Sequence, residues 1–394
     1  MDGQDPDKLF LERDIQFLKE ATNDRCGGRM VIVLPKQILS GAEEDSVELR
    51  RWLFNKVDIY AVVDLPREAF QPHTGTKTSL LFCRKVANLS ENHPIFMAVS
   101  EAVGHDRRGN TIYKKDANGE YLLDEFGEKQ IWNDLPYILE QYNNYIKGDD
   151  IDEESGINGN PSCFIVQKDD ILKDVLLRID AWYWDPAKND LAKKLMDLSN
   201  EDIKEVSSLG NLVVDGGIFY PGRHTRNYVP KSNNSVEFYS GTQILQTRPF
   251  DIKYQPINYK PAAKHFVEKD WILITRSGTT GRVVMVNDQM DGKMVTEHVI
   301  RVICDKEQVD PYYVYAILAS DKIGRQLLDK GIYASVVDHI SPQFVSTIPI
   351  PRLSPEKEKE IADKVREAER ERAEANKIMA DEIDKVENII INAK

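Results

Sequence analysis

Residues 271–286 read WILITRSGTTGRVVMV. Two glycines flank two threonines, Arg276 and Ser277 stand before them, and Arg282 follows. Such a stretch is either a cradle for phosphate or a turn that carries polar side chains to another ligand. A phosphate-binding loop needs G-x-x-x-x-G-K-[ST] opening a helix. Here only two residues separate Gly278 from Gly281, arginine stands where lysine belongs, and VVMV continues as a strand. The segment therefore predicts a hairpin with Arg276, Ser277, Thr279, Thr280 and Arg282 at or near its tip. Two histidines have the right type for a general base, His339 beside Asp338 and His298 beside Glu297. Neighbours along a strand point to opposite faces, and no nucleophile is in view, so both read as structural.

The hairpin closes a basic stretch. Residues 221–282 hold ten Lys/Arg against four Asp/Glu, a local excess of six positive charges in a chain of net charge -13. Tyr220, Tyr228, Tyr239, Tyr254 and Tyr259 lie among these bases, and Asn227, Asn233, Asn234, Gln243 and Gln246 add amides. Basic side chains fix register on phosphate, while arginine forks and amides read base edges. The expected contacts to double-stranded DNA are Arg223, Arg226, Lys231, Gln243, Arg248, Lys253, Lys264, Arg276, Ser277, Thr279, Thr280 and Arg282. The bland alternative is a solvated basic face.

These residues need a scaffold, and 394 residues allow two or three domains. No apolar run approaches the roughly 20 residues that span a bilayer, and MDGQDPDKLF has no signal-peptide character. Cys26, Cys83, Cys163 and Cys304 are far apart and form no C-x-x-C pair. They read as reduced, mostly buried thiols of a cytoplasmic protein, with no metal site.

Three regions follow along the chain. Residues 1–100 alternate helical and strand patterns. LFLERDIQFLK has helical spacing. The run Met30-Val31-Ile32-Val33-Leu34-Pro35 suits a parallel strand buried on both faces. IYAVVDL and SLLFC are two more strands, so the class is α/β. Residues 101–160 are turn-rich and acidic (GHDRRGN, DANGEY, LDEFGEK), predicting small hairpins and then a linker over 147–160. Residues 165–353 form a second mixed α/β unit. Beyond Pro355, Ile361, Val365, Ala368, Ala375, Met379, Ile383, Val386 and Ile390 fall on a repeat of three and four. That predicts a helix of about 55 Å with a coiled-coil-like seam, either an internal brace or a docking or dimerisation helix.

GGRMVIVLP, VVDLPREAFQPHTGTKTSLLFCRK and GHDRRGN together resemble the C-terminal half of adenine-N6 DNA methyltransferases of the modification-subunit type found in type I restriction-modification systems. The resemblance covers roughly residues 5–145 and implies the C-terminal part of a Rossmann-like sheet. In that family the catalytic half lies upstream. A glycine-bearing turn there lets the backbone approach S-adenosylmethionine, and Asn/Asp-Pro-Pro-aromatic holds the extruded adenine. Neither is found here. The nearest imitation, Asn160-Pro161-Ser162-Cys163-Phe164, lacks the second proline and follows the matching segment. The chain alone is thus expected to have no catalytic or cofactor-binding residues, although the complete enzyme uses S-adenosylmethionine. His73, Lys77 and Thr78, in a polar loop between two strands, are possible DNA contacts or simply a strand cap. Arg107 and Arg108 are either phosphate contacts or parts of a turn held by Asp106.

LLRIDAWYWDP, the hairpin, EHVIRV, PYYVYAILAS and YASVVDHISPQFVSTIPIPRLSPEKEKEIADKV resemble one target recognition domain of a type I specificity subunit, with its following helix. The organisation expected is a methyltransferase part over 1–148, a target recognition domain over 165–353 and a spacer or dimerisation helix over 354–394. Three readings remain: a fused methyltransferase–specificity protein whose other half lies elsewhere or was lost, a specificity protein that docks a separate modification subunit, or a degenerate fragment with no activity. The implied partners are DNA, a modification polypeptide and a restriction subunit, with a homodimer through the helix as a further option.

Overall fold

The computed structural model describes residues 6–391, apart from 23–24, 153–154, 157–159, 199–201 and 334–335. Parts of the expected linker and the last three residues of the expected helix segment lie outside the described residues. The chain forms two compact units, Met1–Asp190 with Tyr333–Val337 and Leu191–Ile332 with Asp338–Lys394.

The first unit is built on one sheet of five strands, β1 (Arg29–Pro35), β2 (Asp58–Leu65), β3 (Thr78–Arg84), β4 (Pro94–Val99) and β5 (Ser162–Gln167), in the order β1-β3-β2-β4-β5. Alternating residues of β2 divide the core. Ile59 and Val62 join Leu11, Leu39, Leu53, Leu81 and Met97 in one cluster. Ala61 and Val63 join Phe96, Ala98, Ile138 and Cys163 in the other. Ala61, Val62 and Val63 alternate as a strand covered on both faces requires, and a register shift between Ile59 and Ala61 places those two in opposite clusters.

The sequence expectation for β1 fails. It is antiparallel to β3, not parallel, and it is an edge strand. Only Leu34 is fully buried in it, while Val31 and Val33 remain 55% and 44% exposed. The apolar run marked a surface that is hydrophobic without being covered. Among the described strands only β2 with β4 gives a parallel pair in this sheet. Sequence reading also missed β4, β5 and the helix Leu135–Lys147.

Charged side chains close this unit where β1 and β2 end. Lys36 Nζ lies 2.8 Å from Asp64 and 3.6 Å from Asp180. Arg178 donates to both Asp180 oxygens at 2.8 and 2.7 Å, and Ser79 and the Trp182 amide donate to Asp64. Burial would raise the Asp180 carboxyl, but Arg178 and Lys36 outweigh it and hold it below the ordinary value. LLRIDAWYWDP, grouped by sequence with the second region, is therefore part of the first unit.

The turn-rich stretch has a regular construction. Asp106, Asp116 and Asp124 each accept from the amides two and four residues on, at 2.8–2.9 Å. Gly109, Gly119 and Gly127 follow with φ of +83°, +87° and +81°, where a side chain is strained. Backbone bonds then close a ring of three chain passes: Ile112 to Gly104, Trp132 to Ile112, and Gly104 to Trp132. Asp106 thus accounts for the Arg107–Arg108 turn without any ligand.

The second unit holds smaller sheets. Its strands are β6 (Glu205–Ser208), β7 (Val213–Phe219), β8 (Ser235–Tyr239), β9 (Lys253–Pro256), β10 (Ile272–Thr275), β11 (Val283–Met285), β12 (Met294–Val295), β13 (Val299–Cys304) and β14 (Pro349–Arg352). They order as β11-β10-β13-β7, β12-β8-β9 and β14-β6. The chain ends in the helix Pro355–Ile391. Its packed face uses Glu358, Ala362, Glu369 and Ala373, so the predicted seam is rotated off it, and Ala368 and Ala375 are exposed. Further along, Ile378, Met379, Val386, Ile389 and Ile390 are more than half exposed.

Candidate nucleic-acid interface

The hairpin forms as expected, with β10 antiparallel to β11 and Ile274 opposite Val283. Its tip is not free. Arg276 N donates to the His298 carbonyl, and Ile340 N donates to the Arg276 carbonyl. Thr280 is buried and its hydroxyl donates to the Asp338 carbonyl at 2.9 Å. Gly281 has φ +75°, and a Cβ there would press on Arg325 and Leu328. Gly278 and Thr279 stay exposed.

Its two arginines face different neighbours. The Arg276 guanidinium lies 4.1 Å above the Tyr220 ring, and its buried Nε has no hydrogen-bond partner. Arg282 borders a recess with Ala319, Asp321 and Arg325. Only Arg276 joins the cluster described next.

The extended segment 220–228 crosses this region. His224 anchors it from below. Its Nδ1 is 2.9 Å from His265 Nε2 and its Nε2 is 3.0 Å from Gln255. His265 also meets the Val295 carbonyl, and burial first, then His224 and Arg301, hold its pKa below the ordinary value. With His224 turned inward, Arg223 and Tyr228 are exposed. Arg226 meets Glu297 at 3.0 and 3.2 Å and lies 5.5 Å from the Phe238 ring. Burial alone would lower the Arg226 pKa, but Glu297 and Tyr228 raise it. Glu297 is buried, and against that burial its backbone amide, Arg226 and Thr296 hold it ionised. Buried Arg301 donates to the carbonyls of Val295, Thr296 and Val299, fixing the turn that presents Glu297 and His298.

Arg226, Tyr228, Lys253 and His298 line one cavity of about 310 Å³, and Lys253 lies 5.0 Å from the Tyr228 ring. Lys231, Arg248 and Lys264 are exposed on loops and a short helical turn. Gln243, expected to read a base, is engaged internally. Its Nε2 donates to the Phe250 and Asp251 carbonyls at 2.9 Å, and its Oε1 accepts from Ser240 N. Both amide protons and one acceptor direction thus serve to hold the 240–251 loop.

Sequence reasoning named both histidines and found no hydroxyl or thiol near them. Ser277 Oγ is 2.7 Å from His339 Nδ1 and 3.3 Å from His298 Nδ1, so a hydroxyl does stand beside both rings. Partners 62 residues apart leave no local signal, though EHV directly beside a hairpin strand was a hint.

In the first unit, His73 is exposed, Lys77 is half-buried, and Thr78 is buried with a hydroxyl that has no partner. Strands β1, β2 and β4 lead into Lys36, Pro66 and Ser100, none of them glycine. None of these three strand ends therefore offers the glycine turn through which a backbone approaches S-adenosylmethionine closely. No group of three His, Cys, Asp or Glu among the described residues has metal-binding geometry. No helix among them is long and apolar enough to cross a membrane.

Residues 11–170 match the family model for N-6 DNA Methylase. No curated protein matches the chain. Solved structures with similarity include a modification subunit of a putative type I restriction enzyme from Vibrio vulnificus YJ016, at 17% identity over 44% of this chain and 30% of that one, TM-score 0.28. A type I restriction-modification S subunit from M. genitalium shares 13% identity over 43% and 40%, TM-score 0.31. The type IIG restriction endonuclease BpuSI shares 9% over 93% and 45%, TM-score 0.35. The chain spans less than half the length of each.

Proposed function

We propose that this chain is the DNA-recognition part of an adenine-N6 DNA methyltransferase in a restriction-modification system. The second unit binds duplex DNA through Arg223, Arg226, Lys253, Arg276 and the exposed bases around them. The first unit is the C-terminal part of a methyltransferase domain. Strands that carry the S-adenosylmethionine turn and the adenine pocket, on a modification polypeptide or another segment, pair with β1. The C-terminal helix, through its exposed apolar stripe, sets the distance to a partner or a second copy, and a restriction subunit is a further candidate component.

The observation that carries this reading is the free edge of β1 beside the family match. An uncapped edge with Val31 and Val33 exposed is a template for strand pairing. It lies within the residues that match the N-6 DNA Methylase family.

The test is complementation. This chain is mixed with a polypeptide bearing the glycine turn and Asn/Asp-Pro-Pro-aromatic, and methyl transfer to duplex DNA is measured. Activity in the mixture and in neither chain alone is the expected result. A partner fully active alone, whose site preference changes when this chain is added, favours docking by a specificity protein without a catalytic share. No complex and no activity overturns the proposal.

A further inference from the structure

His298 stands in the second unit under the influence of three guanidinium groups, Arg226, Arg223 and Arg276, and of the Glu297 carboxylate. Its side chain is 36% exposed, and its Nε2 lies 3.6 Å from Glu297. That carboxylate is already engaged by both contacts from Arg226. Ser277 Oγ has a single proton and faces Nδ1 of both His298 and His339. It donates to one ring and accepts from the other, so the three side chains form one relay. The His298 ring also borders the 310 Å³ cavity that Lys253 and Asp251 share. Its main chain does separate work, accepting from Arg276 N, so the side chain is not needed for the hairpin contact.

We propose that His298 is a phosphate-contacting residue of this interface and takes up a proton when a nucleic-acid phosphate binds; the inference rests on the DNA-binding reading of the second unit. Burial disfavours the imidazolium, Glu297 favours it, and Arg226, Arg223 and Arg276 disfavour it again, with a net depression. A bound phosphate compensates those arginines and adds a negative charge beside the ring, so the proton affinity of His298 rises. The proton comes from solvent; Ser277 accepts from Nδ1–H, and Nε2–H, which at 3.6 Å from Glu297 makes no hydrogen bond to it, is left to donate to the phosphate.

The sign follows from linkage. The bound-state pKa lies above the free one, which is itself below the ordinary 6.5. Below the free value both states are protonated, and affinity is insensitive to pH. Between the two values affinity falls as pH rises, by at most about tenfold per pH unit for one proton. Above the bound value it is again insensitive.

The experiment uses the full chain and a mixed-sequence duplex at constant ionic strength. Calorimetry in two buffers of different ionisation enthalpy, at about pH 6.5, reads proton uptake directly. The expected result is uptake of up to one proton per site in the unmodified protein and much less in His298→Gln. The salt dependence of binding is expected to be steeper by about one at low pH than at high pH, since an added cation contacts phosphate. His298→Gln loses that difference while keeping the high-pH slope. Binding without proton uptake overturns the His298 assignment and leaves the DNA-binding reading standing. Uptake unchanged in His298→Gln assigns the proton to another group and also overturns it. Absence of DNA binding at every pH removes both. Because uptake is read on the unmodified protein, the result holds even if the variant is unstable.

Discussion

Each unit contains a network of charges, and the two are used differently. In the first unit Lys36, Asp64, Arg178 and Asp180 are all buried. The cations face carboxylates from within the unit, and the network locks residues 178–184 to the strand ends. In the second unit the carboxylate Glu297 is buried, while Arg223 and Arg226 are exposed and Arg276 and His298 are half-buried. A closed network holds structure together and offers nothing to a ligand. A network anchored by one buried carboxylate, with its cations outward, presents oriented charge to one.

Substitutions at five positions would break or sharpen this contrast. Asp180→Ala leaves two buried cations short of a partner and is expected to cost about 3–5 kcal/mol, read as a large fall in the thermal midpoint. A loss under about 1 kcal/mol would mean that the closed network is not structural. Because Asp180 is depressed below its ordinary 3.8, its contribution is present above that value and is lost as pH falls through the folded one. The stability difference between the unmodified protein and Asp180→Asn should therefore be full at neutral pH and shrink as pH falls below 3.8.

Gln243→Ala removes one acceptor and two donor contacts of the 240–251 loop. It is expected to cost about 1–3 kcal/mol while the salt dependence of DNA binding is kept. A loss of sequence preference with unchanged stability would restore Gln243 as a reader. Lys253→Ala with Lys264→Ala changes exposed charge only. Stability should move by less than about 1 kcal/mol, and the salt slope should flatten by about two. An unchanged affinity and slope would exclude this surface as the DNA face. Val33→Lys, on the free edge, should alter stability by about 0.5 kcal/mol or less, yet abolish complementation by the partner chain. Full complementation in that variant would place the junction elsewhere.

Legibility in the sequence followed the range of the interactions. The hairpin 271–286 was readable because its turn and both strands are contiguous, and the C-terminal helix because its period repeats locally. The Asp106, Asp116 and Asp124 turns were visible as turns for the same reason. β1 misled because an apolar run reports hydrophobicity and not what covers it. The internal bonds of Gln243 were not legible because a residue type suited to reading adenine is equally suited to holding its own loop. The Ser277–His339 and Arg226–Glu297 contacts join residues 62 and 71 apart, and nothing in either local stretch specifies the other. Arg178 and Asp180 are close in sequence, but their anchor on Lys36 and Asp64 is not.

The most direct test of the account is selection of bound duplexes from a randomised pool by the purified chain, at about physiological salt where nonspecific binding is weak. Enrichment of a defined motif, lost when Arg223 and Arg276 are both replaced by alanine, is the predicted result. A folded chain that binds duplexes without enriching any motif, or whose enriched motif is indifferent to those two arginines, contradicts the claim that the second unit reads DNA through this surface.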